Sequence, residues 1–567
     1  MSDFTAHATD DVVEAARAWV AQDPDAETRA ELEALIDGAA SGDAAALAEL
    51  HARFDERLAF GTAGLRGELA AGPNRMNRVL VTQAAAGFAA YLREKHGEQA
   101  SVVIGYDGRK NSRVFAEDSA EIFAGAGVRT ILLPRLLPTP VLAFAVRHLD
   151  VSAGVMVTAS HNPARDNGYK VYLGGGDHGS QIVPPTDSEI AAHIAAVAAA
   201  GPITGLPRST DFGLADESLV YAYVAATAAV AGELPGDTSL DVVYTAMHGV
   251  GWDTASRVFE AAGLPAPVSV AAQQEPDAAF PTVSFPNPEE PGALDLAMQT
   301  AREHGAELIV ANDPDADRFA AAIPDASAEG GWRRLSGNEV GMLLGWAAAE
   351  DEAGTAHGAH HEPGVLAASI VSSPALGEIA THFGLGHATT LTGFKWISRA
   401  PGLLFGYEEA LGYLVNPETV RDKDGISAAT RFLALALRWK AAGRTVADQL
   451  ALIAEAIGHF ASGQISLRVT DLSERGRIMD RLRAEPPRTL GEVAVTSFDD
   501  LATGTVPGLP VDNILRILTA DGSRVMIRPS GTEPKLKVYL DVRGDSGADA
   551  SAKLAALDAA LRALLAA

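Results

Sequence analysis

Short β-branched runs alternate with helical patterns over residues 102–133, and that alternation constrains the fold more than any other feature of the chain. Residues 102–105 read as a strand, residues 112–126 as a helix with Ser112 at its N-cap, and residues 128–133 as a second strand. A strand, a crossover helix and a second strand imply a parallel sheet covered by helices. A third apolar run, residues 154–157, ends in the polar turn 158–162, and in such sheets ligands collect at loops on the carboxyl ends of strands. Ahead of this, residues 26–36 and 44–53 carry Ala, Leu and Glu at helical spacing and predict helices.

A chain of 567 residues predicts about three to five domains at roughly 150 residues each. Pro- and Gly-rich residues 199–213 close the first. A strand at 240–244, a helix near 252–262 and a strand at 307–311 follow; a third unit starts near Ile323 and runs to a helix at 427–441; a fourth begins around Gly458, with residues 523–542 and an Ala/Leu-rich helix from Ala550 at its end. The expected domains are 1–205, 206–322, 323–457 and 458–567. No internal repeat is readable in the letters. The balance of 45 basic against 73 acidic residues, a net charge of −28, opposes binding to nucleic acid or an anionic membrane surface. With no Cys, disulfides, thiolate metal sites and cysteine nucleophiles are excluded. The apolar runs are too short to span a bilayer, so the expectation is a soluble, cytoplasmic protein with neither nucleic acid nor membrane as partner, its oligomeric state left open.

Any anionic ligand of so acidic a chain needs concentrated cations. Of the nine lysines, Lys110, Lys170, Lys395, Lys423, Lys535 and Lys537 fall in Gly-, Asp-, Asn- or Ser-rich segments, where a compact movable cation suits phosphate. Residues 60–67 combine three glycines with Arg66, at a spacing that is neither the dinucleotide fingerprint nor the P-loop. Residues 106–112 join a strand to a helix start and carry Arg109 and Lys110, a junction able to bind phosphate. In Thr158-Ala159-Ser160-His161-Asn162-Pro163 a hydroxyl ends a buried strand without the G-x-S-x-G elbow. Neighbours in extended chain point apart, so His161 is not expected to act as the base of Ser160. Lys170 follows ten residues later.

The sharpest local signal is the apolar run from Ile309 followed by Asp313, Asp315 and Asp317. Alternating carboxylates repel one another unless a cation sits among them, and hard oxygen ligands suit Mg²⁺ or Ca²⁺. An EF-hand is excluded, because Arg318 takes its Gly position and Pro324 its bidentate Glu position. Thr392-Gly393-Phe394-Lys395 and residues 406–412, with Glu408 and Glu409, mix donors, carboxylates and Gly as recognition of sugar hydroxyls needs. Residues 528–535 are rich in donors, with Arg528 able to grip phosphate bidentately. His357, His360 and His361 lie in a Gly-, Ala- and Glu-rich stretch and read as a solvated loop.

In this order and spacing the segments resemble the α-D-phosphohexomutase family, over nearly the whole chain after about residue 55. The FGTAGLRG, TASHNP, TGFK, GYEEALGY and RPSGTEPK forms look most like the branch that holds bacterial phosphoglucomutases and phosphomannomutases and the animal phosphoglucomutase-2/phosphopentomutase enzymes. The resemblance implies an α/β protein of four domains around a central cleft, three with mixed sheets and a smaller C-terminal α+β domain. It implies an Mg²⁺-dependent isomerase that interconverts hexose 1-phosphate and hexose 6-phosphate, with a hexose 1,6-bisphosphate as intermediate and activator and a small phosphosugar as substrate. Ser160 would be the phosphoserine and, with Asp313, Asp315 and Asp317, a metal ligand. Arg66, His161 and Lys170 would surround the transferring group. Arg318, Thr392, Gly393, Lys395, Glu408, Glu409 and Lys423 would bind substrate, and Arg528, Ser530, Gly531 and Thr532 the phosphate that is not reacting. Many relatives carry Ser where this chain has Ala410, which loosens the transfer of sugar specificity and keeps a phosphopentomutase as the alternative. A metal-dependent sugar phosphatase lacks a second metal site here. A non-catalytic sugar-phosphate binder would need no phosphorylatable Ser beside three carboxylates.

Overall fold

The computed structural model describes residues 2–355, 363–468, 472–506, 508–529 and 535–566. The chain forms two compact units, one of Met1–Leu234, Ser239–Arg333 and Asn416–Ala434, the other of Pro235–Thr238, Arg334–Val415 and Leu435–Ala567.

The first unit opens with helices Ser2–Val20, Ala26–Ala40 and Ala44–Phe54, the last two where the periodicity placed helices. Their apolar faces, with Trp19, Leu32, Ile36 and Leu50, close on Ala71, Val79 and Ile203. The first sheet runs, in spatial order, Leu65–Glu68, Asp166–Leu173, Ala153–Val157, Ser101–Tyr106, Arg129–Leu132 and Gly213–Leu214, with Ser180–Gln181 beside the second of these. Its central strands are parallel, and Asp166–Leu173 returns antiparallel to Ala153–Val157. Val102, Ile104, Val155 and Val157 pack beneath Phe88, Phe115 and Phe123. Helix Ser112–Gly125 starts where expected, but its N-cap is Asn111, in the left-handed region and without a side-chain cap bond. Ser112 is the first helical residue, and its hydroxyl donates instead to the buried Asp107 carboxylate at 2.6 Å.

In the second sheet, Val242–Thr245 and Leu308–Asn312 are parallel and Phe319–Pro324 returns antiparallel. The expected start of a third domain near Ile323 falls within that return strand.

The second unit holds the other two sheets. Val365–Ser369 lies parallel between Gly386–Thr390 and Leu403–Glu408, and Gly412–Leu414 returns antiparallel to the latter. The last sheet is antiparallel: His459–Arg468, Lys535–Gly544, Arg524–Pro529, Leu515–Thr519, Val493–Asp500 and Thr489–Leu490. It packs through Ile465, Ile517, Val525 and Val538 against helices Leu472–Ala484 and Gly547–Ala566. Three mixed sheets covered by helices and a fourth antiparallel one make the α/β four-domain architecture that the sequence implied. Among the described residues, no helix is long and apolar enough to cross a membrane.

One local plan recurs in all four sheets. A strand turns into an antiparallel neighbour, and the connection between them carries a candidate motif: residues 158–165 with Ser160, residues 313–318 with the aspartates, residues 409–411 beside Glu408, and residues 530–534 after Arg528.

Candidate active site

Ser160 follows the buried strand Ala153–Val157 and adopts φ +52°. Thr158 tightens the turn, its hydroxyl accepting the Ser160 amide at 2.8 Å. The loop also needs Gly168 opposite, since a Cβ there would sit 2.5 Å from the Thr158 carbonyl oxygen. The result aims the Ser160 hydroxyl at Asp313, to whose Oδ2 it donates at 2.8 Å. His161 Nδ1 lies 3.2 Å from the same hydroxyl, so the expectation that the two side chains point apart fails: it assumed an extended chain, and Ser160 is left-handed. Burial holds the His161 imidazole well below its usual pKa, and Arg318 and Arg66 push the same way, so the ring is neutral.

The aspartate loop follows strand Leu308–Asn312, and Ala316 at φ +54° turns it back. Gly249 lets a neighbouring loop close over it, because a Cβ there would lie 2.2 Å from Pro314. Asp313 accepts the Arg318 amide on Oδ1 at 3.0 Å. Asp315 Oδ2 accepts the Thr139 hydroxyl at 2.6 Å and the Lys170 ammonium at 2.7 Å. Asp317 Oδ2 accepts Lys170 at 2.8 Å, with Lys423 Nζ at 3.3 Å. Oxygens of the three carboxylates lie within 4.8 Å of one another. The other oxygens of Asp315 and Asp317, both Oδ1, are buried with no hydrogen-bond partner among the described residues. Two orphaned carboxylate oxygens beside a third carboxylate and a serine hydroxyl form a hard-oxygen donor set, which a divalent cation fits.

The charges divide the group. Burial raises the Asp313 carboxyl well above the usual carboxylate range, and the charges of Asp315 and Asp317 raise it further. Burial also acts on Asp317, but Lys170, Lys423 and Arg318 outweigh it and hold Asp317 ionised; Lys170 and the Thr139 hydroxyl do the same for Asp315. Burial alone would lower Lys170, yet Asp315 and Asp317 raise it, so its ammonium stays charged.

Arg66 lies opposite Gly168 on strand Leu65–Glu68 and donates to Asn162 Oδ1 at 3.2 Å. Arg318 Nε is 3.9 Å from Asp317. Lys423, grouped with substrate binding by resemblance, belongs to this cluster through Asp317, and the neighbouring Asp422 is fastened by Tyr172 at 2.9 Å and Gln181 at 3.0 Å. The junction 106–112 does not present its cations to a ligand. Lys110 pairs with Glu27 at 2.5 Å, and Arg109 turns inward onto the carbonyls of the Ser160 loop.

In the second unit, Glu408 ends strand Leu403–Glu408 and Glu409 begins the turn. The Glu409 carboxylate accepts the hydroxyls of Ser369 at 3.1 Å and Ser372 at 3.0 Å. Arg524 donates to Ile370 O at 3.1 Å and to Ser372 O, and so ties the last sheet to the serines that hold Glu409. Burial raises the Tyr539 hydroxyl, and Glu409, Arg528 and Glu408 all act on it, which brings the glutamates and Arg528 around one buried phenol. Gly393, at φ +108°, leads into the short helix Phe394–Ile397 that bears Lys395, with Thr392 just before it. Ser530, Gly531, Thr532 and the three histidines lie outside the described residues. Sequence reasoning missed Thr139, Ser369, Ser372, Arg524 and Tyr539, which stand in ordinary strand, helix and turn contexts with no local signature.

The chain is similar to known proteins. The chain matches the phosphoglucomutase/phosphomannomutase alpha/beta/alpha domains I, II and III over residues 57–200, 222–327 and 336–456, and the C-terminal domain over residues 466–558. It is 53% identical to the "Probable phosphomannomutase" of Haemophilus influenzae over 86% of this chain and 98% of that one. It is 37% identical to the phosphoribomutase of Saccharomyces cerevisiae, over 87% of each. Among solved structures, a phosphoglucomutase/phosphomannomutase family protein from Burkholderia thailandensis superposes with a TM-score of 0.68 at 20% identity, covering 90% of this chain and 97% of that one, a likeness of fold.

Proposed function

This chain belongs to the phosphoglucomutase/phosphomannomutase family of α-D-phosphohexomutases, and from that premise we propose that it moves a phosphoryl group between the 1- and 6-positions of a hexose phosphate through Ser160. The observation that carries this reading is the Ser160 hydroxyl, buried at a strand end and 2.8 Å from a carboxylate of a three-aspartate cluster. Asp313, Asp315, Asp317 and Ser160 would hold Mg²⁺, which when bound neutralises charge on the transferring phosphoryl oxygens.

The chain's own groups do the remaining work in this reading. A phosphorylated Ser160 keeps the phosphoryl group off water between half-reactions. Lys170, held protonated, supplies charge and a proton to a departing sugar oxygen. Neutral His161, 3.2 Å from the Ser160 hydroxyl, suits acceptance of that hydroxyl's proton when the serine is rephosphorylated. Arg66 and Arg318 offer donors to phosphoryl oxygens. Glu408 reads sugar hydroxyls, while Glu409, occupied by Ser369 and Ser372, shapes the turn. Arg528, with Ser530, Gly531 and Thr532, binds the phosphate that is not reacting, and the 1,6-bisphosphate is both intermediate and activator. Lys395, Thr392 and Gly393 complete the substrate set. Pentose phosphates are the second reading, on Ala410 and on the likeness to the yeast phosphoribomutase.

Coupled assays with glucose 1-phosphate, mannose 1-phosphate and ribose 1-phosphate rank the substrates. Intact-mass analysis after incubation with glucose 1,6-bisphosphate should show one phosphoryl group on the wild type and none on Ser160→Ala, whose turnover should be nearly abolished. Wild-type-like turnover in Ser160→Ala removes the phosphoserine mechanism.

A further inference from the structure

We propose that Arg109 is the positioning residue of the Ser160 loop: its guanidinium, added to the turn bond from the Asn162 amide to the Ala159 carbonyl and to the Thr158 hydroxyl, keeps the serine in the left-handed conformation that aims its hydroxyl. The inference rests on the reading of Ser160 as the phosphoserine.

Four of the five guanidinium N–H groups are committed to this one loop. Nη2 donates to the carbonyls of Ser160 at 2.6 Å and Asn162 at 2.5 Å, and Nη1 donates to those of Pro163 at 2.8 Å and Asp166 at 3.1 Å. The remaining nitrogen, Nε, lies 3.6 Å from Asp107 Oδ2. A loop that turns four carbonyl oxygens toward one point gathers partial negative charge there, and a set of donors placed at that point relieves it. The planar fork of Arg does this; a Lys ammonium has three donors at tetrahedral angles and cannot.

The fork is itself fixed from two further directions. Asp107 accepts the Arg109 amide on Oδ1 at 3.0 Å and the Ser112 hydroxyl on the same oxygen, so the first turn of helix Ser112–Gly125 anchors the carboxylate that faces the guanidinium. The Phe280 ring covers the guanidinium at 4.9 Å. Side chains of Arg109 and Asp107 are each 1% exposed. Ser160, at φ +52°, is in a region that non-Gly residues occupy only when their surroundings over-determine it. Arg109 binds the carbonyl of that same residue, so loss of the fork releases the φ angle that sets the Ser160 Oγ direction. The segment 106–112 thus serves catalysis without touching the sugar phosphate.

The test compares full-length wild type, Arg109→Lys and Arg109→Ala, each normalised to folded protein by circular dichroism. Glucose 1,6-bisphosphate serves as phosphoryl donor, and the rate of Ser160 phosphorylation is followed by intact mass alongside kcat and KM for glucose 1-phosphate. Arg109→Lys should lose about 100-fold in phosphorylation rate and in kcat, the scale of a reacting group misplaced by about an ångström. KM should stay within about threefold, since no substrate contact is removed. Hydrogen exchange should quicken in residues 159–166. Where Arg109→Ala fails to fold, Arg109→Lys decides. A phosphorylation rate per folded molecule close to wild type in Arg109→Lys, or a loss confined to KM, overturns the proposal. A wild type that never gains phosphate on Ser160 overturns the reading of Ser160 instead, a result visible before any variant is compared.

Discussion

Lys170→Met removes the ammonium that bridges Asp315 and Asp317. Lys170 Nζ stands 2.7 Å from Asp315 Oδ2 and 2.8 Å from Asp317 Oδ2, and the three side chains are at most 7% exposed. Breaking a buried pair from one side leaves an uncompensated charge and costs about 3–5 kcal/mol. Lys423 still faces Asp317 at 3.3 Å, so the burden falls chiefly on Asp315. Asp315 and Asp317 are held below their usual pKa in the fold, and the stability this contributes is present above the unfolded carboxylate value of 3.8 and is lost as pH falls through the folded one. The raised Lys170 contributes fully at pH 7, below its ordinary value of 10.5. In the variant the Lys170 contribution vanishes and that of Asp315 weakens, while Lys423 and Arg318 still favour ionised Asp317, and burial then favours the neutral acid at Asp315. Its deficit should therefore be largest near neutral pH and shrink toward about pH 5 as the orphaned Asp315 carboxylate takes up a proton. Thermal unfolding in chelator should give a midpoint at least about 5 °C below wild type at pH 7.5. Millimolar Mg²⁺ should recover much of the gap by supplying the missing positive charge, without restoring turnover. A midpoint equal to wild type in chelator, or a deficit that neither Mg²⁺ nor pH 5 reduces, would refute the electrostatic account of the cluster.

Glu408→Gln should lower kcat/KM for hexose phosphates that present the contacted hydroxyl more than for others, whereas Glu409→Gln, whose partners are Ser369 and Ser372, should lower all substrates alike; identical profiles for the two would show that neither reads the sugar. Arg528→Ala should raise KM for hexose phosphate and increase dependence on added glucose 1,6-bisphosphate, and unchanged values of both would remove the strand end from phosphate binding. Burial raises Asp424 from 3.8 to about 6, so its contribution to stability is present at acid pH and is lost as pH rises through about 6. Asp424→Asn, able to keep the bonds to the amides of Ile426 and Ser427, should therefore help the melting temperature more at pH 8 than at pH 5, and the opposite order would show that Asp424 is ionised in the fold at little cost.

Local letters sufficed for whatever depends on nearest neighbours. The strand and helix pattern of residues 102–133, the early helices at 26–36 and 44–53, and the apolar strand before Asp313 are written in side-chain periodicity and turn chemistry, and the structure keeps them within a few residues. The three aspartates declared a cation by their repulsion alone. Ser160 stood out because a hydroxyl at the end of a buried strand has few structural duties.

Tertiary structure decided which of the marked groups work together. Lys423 was marked as ligand-facing, and only the packing of Asn416–Ala434 within the first unit sets it against Asp317, far off in sequence. Arg109 was marked as a phosphate cation, and in the fold four carbonyls that converge on its buried guanidinium take up its Nη donors. His161 was set aside by a rule for extended chain that does not hold once Ser160 turns left-handed. The antiparallel return that recurs beside Ser160, the aspartates and Glu408 is invisible in the letters, since it is a matter of which strands pair and at what register, and many different side chains fulfil the same pairing. Sequence alone therefore determined the groups available to this protein: a hydroxyl after a buried strand, three alternating carboxylates that could hold a cation, and cations of the kind that suits phosphate. Distances between residues far apart in sequence, as from Ser160 to Asp313, 153 positions on, are set by packing, because a contact energy of that range exists only after the chain has closed on itself.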